Sequence, residues 1–264
     1  MSVQGVTLCR MSATDGVFAR ELAELAGREL LALRLAEGFG DPAKLRAEGD
    51  RRAHELIMAE LAASRPGDAI LSEEGEGEQG RTGTSRRSAD RVWIVDPLDG
   101  TREFGEEGNT DWAVHIALWE RGKGLTAGAV ALPAKGYTLG TDVPPDAPGQ
   151  VSAGPRIAVS RSRPPAWTEK LAEATGGSLV PMGSAGAKVA AVVTGTVDAY
   201  VHAGGQHEWD SAAPVAVAVT AGLHASRIDG AALEYNAEDP KLPDLLVCRP
   251  ELAEVFLREL AGLL

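Results

Sequence analysis

The chain has 264 residues and a formal net charge of −12, which excludes a nucleic-acid polymer as partner because that needs a basic footprint, but not a small phosphorylated ligand, since bound cations reverse the local field. At 44% hydrophobic and 24% charged, it has the composition of a soluble globular protein, long enough for one large domain or two tightly packed ones. No run is apolar enough to span a bilayer and the start lacks a secretory leader, while Cys9 and Cys248 stand far apart, so both are expected as packing residues in a reduced, cytoplasmic setting.

In chain order, Asp15 is expected to cap an amphipathic helix over about 17–36, with Leu22, Leu25, Leu30, Leu31 and Leu33 on its apolar side. A second helix is expected after Asp50, running to Arg65, where Pro66-Gly67 stops it. Strands follow at 69–74 and 92–96, separated by a polar loop from Gly75 to Asp90 that serves either as a solvated insertion or as a lid. Further strands are expected at 111–119, 125–132 and 137–140. The Pro-rich stretch 144–150 reads as a linker between an N-terminal α+β domain (1–143) and a C-terminal α/β domain (151–264). Beyond it strands (156–160, 179–182, 197–202, 244–248) alternate with helices (165–175, 184–195, 209–221 and the C-terminus), the pattern of a parallel or mixed sheet.

The segment Val92 to Thr101 is the most informative. An apolar strand runs into Asp96-Pro97-Leu98-Asp99-Gly100-Thr101. Proline has no N–H and a fixed φ, so the strand is expected to stop and turn there, with both aspartates brought to one side. Two such carboxylates repel unless a cation lies between them, and oxygen ligands suit a hard ion such as Mg²⁺. Gly100 permits close approach of the backbone, and the N–H groups of Gly100 and Thr101 can receive a phosphate oxygen. An ordinary Asp-Pro turn remains the alternative for this element alone. Ala69 to Glu74 repeats the logic, an apolar strand ending in Glu73 and Glu74; His207 to Ala213 places Asp210 at a helix start, where it could instead be an N-cap.

Together, Ser72-Glu73-Glu74, Asp96-Pro97-Leu98-Asp99-Gly100-Thr101 and Trp209-Asp210-Ser211-Ala212-Ala213 resemble the inositol monophosphatase family of Mg²⁺-dependent, Li⁺-sensitive phosphatases. Within it, Arg91 to Ile94, Asp111 to Trp119 and His202 to Gln206 look like the bacterial CysQ-type branch that hydrolyses 3'-phosphoadenosine 5'-phosphate. The resemblance implies a layered αβαβα sandwich of the inositol monophosphatase and fructose-1,6-bisphosphatase type, with the metal site between its halves. It also implies two or three Mg²⁺ ions held by Glu73, Asp96, the Leu98 carbonyl, Asp99 and Asp210, with Glu74 as a further acid near the metals, and a homodimer. Thr101 matches the threonine that orients the attacking water, and Asp50 is the candidate to assist it. The family's Thr-x-x-Asp spacing is broken here, Arg46-Ala47-Glu48-Gly49-Asp50 lacking the threonine, so a helix N-cap is the alternative for Asp50.

For the substrate, inositol-specific members carry a glutamate seven residues before the Trp-Asp aspartate, where this chain has Ala203. Ser160, Arg161 and Arg163 follow a strand, and an arginine there can pair a second phosphate or stack on a base; a solvated basic turn is the bland alternative. Ser184 and Lys188 lie in a Gly/Ser-rich helix start that can receive a substrate oxygen, or that merely packs closely. His115, His207 and His224 are expected to pack or hydrogen-bond rather than to ligate a metal that prefers oxygen. The other activities left open are a broad inositol-1-phosphate or fructose-1,6-bisphosphate phosphatase and a non-catalytic phosphate or metal sensor.

Overall fold

The computed structural model describes residues 14–75, 86–146, 149 and 154–263. Cys9, the middle of the polar loop (76–85) and most of the linker's second half (147, 148 and 150) lie outside that range. The chain order is α1 (Asp15–Glu37), α2 (Pro42–Ser64), β1 (Ala69–Ser72), β2 (Arg91–Asp99), α3 (Thr101–Phe104), β3 (Ala113–Glu120), β4 (Gly124–Leu132), β5 (Tyr137–Gly140), β6 (Arg156–Ser160), α4 (Thr168–Thr175), β7 (Ser178–Met182), α5 (Ala185–Val193), β8 (Ala199–His207), α6 (Glu208–Thr220), β9 (His224–Ser226), β10 (Lys241–Cys248) and α7 (Ala253–Leu263).

Alternation of side chains along the strands builds the layers. In the first sheet, ordered β1-β2-β3-β4-β5, Ile70, Trp93, Val95, Val114 and Ile116 face one way and pack on Phe18, Leu22, Leu30, Ala53 and Ile57 of α1 and α2. Leu71, Val92, Ile94, Ala113 and Ala117 face the other way, into a core shared with α5 and α6. The second sheet, ordered β7-β6-β8-β10-β9, contributes Ala158, Tyr200, Leu245 and Val247 to that central core. Its opposite face, through Ile157, Val159, Val201 and Leu246, covers Leu171, Phe256 and Leu260 of α4 and α7. The result is the αβαβα sandwich. Both sheets are mixed: β1-β2 and β7-β6-β8 are parallel and the remaining pairs antiparallel. Cys248 is fully buried among the α7-side core, and burial pushes its thiol up to about 12.

Several local expectations are corrected. Thr14, not Asp15, caps α1, accepting from Val17 N, and Asp15 instead pairs with Arg65 and Arg91. The second helix begins earlier than expected: Asp41 caps it by accepting from Lys44 N at 3.0 Å, with Pro42 in the first helical position, where its missing N–H costs nothing. Asp50 therefore lies inside α2, and its alternative role as an N-cap falls. Pro97 does not end its strand: β2 runs on to Asp99 across a register shift between Asp96 and Asp99, a bulge that needs no N–H from the proline. Strand β8 continues beyond 202 to His207, and the short edge strand β9 had no counterpart in the expectation.

Candidate functional site

The site forms where the first turn of α6 meets the end of β2. Carboxylate oxygens of Asp96, Asp99 and Asp210 lie within 4.8 Å of one another. The bulge in β2 puts Asp96 opposite His115 and Asp99 opposite Ala113 on β3, so both acids face the central layer. Asp96 is 1% exposed and Asp99 7%. Asp210 is the third residue of α6; its Oδ2 accepts from His207 N at 2.6 Å, so it also caps the helix start. Glu73 and Glu74 occupy the turn after β1.

The electrostatics of this cluster are those of acids short of a cation. Burial, then repulsion from Glu73, Asp99 and Asp210, holds Asp96 well above the usual carboxylate range. Glu73 is exposed as a residue, but its carboxyl meets Asp96. Loss of water there, with the charges of Asp210 and Asp99, lifts it to about 7. Burial and Asp99 likewise lift Asp210 to about 6. Asp99 differs. Burial works to raise it, but His115, the Ser184 hydroxyl and Lys188 outweigh that and bring it to about 2. Ser184 Oγ donates to Asp99 Oδ2, and Gly186 N donates to the same oxygen at 2.7 Å. Asp99 is thus the one member whose charge the protein itself satisfies. The site of an ion is tested by its donors: the set is all oxygen, crowded and mutually repelling, and the amine of nearby Lys188 is spent on the Gly183 and Ser184 carbonyls at 3.2 and 2.6 Å. A hard divalent cation fits it.

Thr101 begins α3 directly after Gly100, whose left-handed φ of 84° makes the sharp turn from strand to helix possible. A Cβ on Gly100 would stand 2.9 Å from the Asp111 carbonyl. Thr101 Oγ1 lies 3.1 Å from the Leu98 carbonyl and 3.4 Å from Asp50 Oδ1. Burial, then the charge of Glu74, raises Asp50 to about 7. The two expected partners thus meet: Asp50 reaches Thr101 from α2 without the family's threonine spacing.

Beside the acids opens a cleft of about 290 Å³ whose walls include Asp99, Gly100, Thr101, Ser160, Arg161, Arg163, Ser184, Lys188 and Asp210. Their roles in it differ. Ser184 caps α5, accepting from Ala187 N as it donates to Asp99. Arg161 is held by Glu103 Oε1 and Glu106 Oε2, both at 2.8 Å, a clasp joining α3 to the end of β6. Arg163 is exposed, with Ser160 Oγ accepting from its backbone N–H at 3.2 Å. Ala203 pairs with Asp244 between β8 and β10 and is not a cleft wall.

Sequence reasoning passed over Gly186 and Glu103, and gave His115 a packing or hydrogen-bonding role without placing it among the acids. His115 is fully buried; its Nδ1 donates to the Trp209 carbonyl at 3.1 Å and its Nε2 lies 3.3 Å from Asp99 Oδ2. The histidine therefore hydrogen-bonds, as expected of it, but does so inside the acid cluster. Gly186 makes room for it: a Cβ there would run into the imidazole. Glu103, also buried, braces Arg161. The signal for His115 was present, since Ala113, His115 and Ala117 share one face of a strand that must pair with β2. Glu103 and Arg161 are 58 residues apart, and no local pattern connects them.

Residues 18–261 match the inositol monophosphatase family. The 3'-phosphoadenosine 5'-phosphate phosphatase of Mycobacterium tuberculosis is 51% identical over 243 residues, 89% of each chain. The 3'(2'),5'-bisphosphate nucleotidase CysQ of Escherichia coli is 30% identical over 200 residues, 72% of this chain and 79% of that one. Among solved structures, inositol monophosphatase II from Staphylococcus aureus superposes with a TM-score of 0.74 at 23% identity, covering 91% of this chain and 92% of that one; this likeness speaks for the fold. With that match over nearly its full length, the chain belongs to the inositol monophosphatase family.

Proposed function

We propose that this protein hydrolyses 3'-phosphoadenosine 5'-phosphate to AMP and phosphate, using Mg²⁺ held by Glu73, Asp96, the Leu98 carbonyl, Asp99 and Asp210. The observation that carries the reading is the crowded cluster of Asp96, Asp99 and Asp210 in a chain half identical to enzymes named for that substrate. Two or three ions, a homodimer and a cytoplasmic location belong to the same proposal. Among the described residues no helix is long and apolar enough to cross a membrane.

When bound, divalent ions offset the phosphate dianion and lower the pKa of water at the site. The chain's own groups do the rest. Asp50 Oδ1, ionised above its raised pKa, accepts the Thr101 hydroxyl proton and leaves the Thr101 oxygen lone pairs free to take a proton from the attacking water. The Ser184 hydroxyl and Gly186 N–H fix Asp99 in one orientation by hydrogen bonds, with His115 Nε2 3.3 Å from the same oxygen, so that Asp99 would hold an ion without reorganising. Arg163, at the cleft wall, supplies a cation for the second phosphate.

Product analysis after chelation and re-addition of Mg²⁺ tests the proposal. AMP should form with retention of the 5'-phosphate, and only with the ion restored. Release of the 5'-phosphate, or full turnover after chelation, would overturn it.

A further inference from the structure

The acid cluster does not account for Gln206. This residue is 6% exposed and lies in the cleft wall with Tyr200 and Asp210. Strand β8 reaches it through Gly204 and Gly205, whose φ angles of 82° and 78° belong to the left-handed region that glycine tolerates. Across this stretch β8 advances from Ala203 to Gln206 while β10 moves only from Asp244 to Leu242, so β8 carries one extra residue and bends there.

A primary amide offers two N–H donors and one carbonyl acceptor. Gln206 Nε2 donates to the Tyr200 hydroxyl at 2.9 Å. Gln206 Oε1 is buried and has no hydrogen-bond partner among the described residues. Buried carbonyls are seldom left in that state, because losing water without replacement is costly. A phosphate dianion cannot supply the missing partner: its oxygens are acceptors, and Oε1 repels them. The partner must bring an O–H or N–H.

Resting on the adenosine-bisphosphate reading above, we infer that Gln206 Oε1 recognises a hydrogen-bond donor on the nucleoside part of the substrate, either the ribose 2'-hydroxyl or the exocyclic amine of adenine. Gln206 is then a substrate-reading residue, separate from the groups that hold the phosphate. It contributes where Ala203 leaves this chain without a hydroxyl-reading glutamate.

The experiment compares kcat/KM for 3'-phosphoadenosine 5'-phosphate, its 2'-deoxy analogue and its inosine analogue, in the parent, Gln206→Met and Gln206→Glu. Methionine keeps the length without the acceptor, and glutamate keeps the acceptor. One analogue should lose roughly tenfold in the parent, the scale of one buried acceptor left unpaired. Gln206→Met should lose a similar factor on the adenosine substrate and no longer distinguish that analogue; Gln206→Glu should still distinguish it. The inference is overturned if parent and Gln206→Met discriminate alike on both analogues, or if Gln206→Met lowers all three substrates equally together with its melting temperature. Brisk turnover of the adenosine substrate alongside either result would sink the role of Gln206 alone. Failure of the parent to use that substrate would sink the functional proposal and this inference with it.

Discussion

Replacing Asp96 and Asp99 by asparagine, one at a time, should have unequal consequences for the stability of the metal-free protein, although the two residues are close in sequence and both buried. Asp99 is held at about 2 by its partners, against an ordinary 3.8. The folded-state pKa is depressed, so its contribution to stability is present above the unfolded value and is lost as pH falls through about 2. The difference corresponds to about 2–3 kcal/mol, which for a chain of this size is a melting temperature roughly 5–10 °C lower in Asp99→Asn. Asp96 is held well above the usual range. Its folded-state pKa is raised, so the stability it contributes is present at low pH and is lost as pH rises. With its carboxyl held well above the ordinary range without metal, Asp96 gives up little favourable charge interaction when a neutral amide replaces it. Asp96 Oδ1 accepts from Leu98 N at 3.0 Å, and the amide oxygen introduced by Asp96→Asn can accept the same bond. This variant should therefore melt within about 2 °C of the parent, a change under ~1 kcal/mol. Both variants should lose turnover by about 10²–10³-fold, the scale of removing one electrostatic stabiliser, and both should lose most of the Mg²⁺-induced rise in melting temperature. Differential scanning calorimetry at neutral pH with chelator and with saturating Mg²⁺, alongside phosphate release, reads all of these. If Asp99→Asn melts with the parent while Asp96→Asn is the unstable variant, the assignment of charge within the cluster is wrong.

Asp50→Asn and Thr101→Val should each lower kcat by about 10²–10⁴-fold with little change in Mg²⁺ affinity, and the double variant should be no worse than the poorer single one, because the two act as a unit; multiplicative losses would separate them. Gly186→Ala should push the His115 ring off Asp99, lowering the melting temperature and weakening Mg²⁺ binding by calorimetry, at a cost of about 1–3 kcal/mol for overpacking; an unchanged protein would show that the pocket yields. Arg163→Ala should raise KM for the nucleotide bisphosphate while leaving stability alone. Arg161→Ala should instead destabilise the fold, since it strands the buried carboxylate of Glu103, and the reverse pattern would exchange the roles assigned to the two arginines.

Strands whose apolar residues are bounded by Pro or Gly were legible as they stand: β5 and β6 begin and end where the pattern puts them. The start of α2 was also written in the chain, as Asp41-Pro42, but the acidic Glu48-Gly49-Asp50 drew the boundary inward because an aspartate that caps a helix and one inside it look alike in isolation. Pro97 misled for a related reason. Its lost N–H matters only where a ladder hydrogen bond is required, and the bulge removes that requirement. The three-residue β9 pairs through Leu246 to Cys248 of β10, an arrangement that tertiary packing and not local pattern decides. At the site, the acids announced themselves because a metal needs their chemistry whatever surrounds them. Gly186, Glu103 and Gln206 did not, because each acquires meaning only from a partner brought close by the fold.

The most direct measurement of the central claim is the ratio of kcat/KM for 3'-phosphoadenosine 5'-phosphate to that for inositol 1-phosphate, on the same Mg²⁺-loaded preparation. Without a glutamate at position 203, inositol 1-phosphate lacks a charge-assisted hydrogen bond worth about 1.5–3 kcal/mol. The nucleotide can engage Arg163 and Gln206. The ratio should exceed roughly tenfold in favour of the adenosine bisphosphate, the factor that the lower end of that range gives. A ratio near one, or one favouring inositol 1-phosphate, would contradict the account.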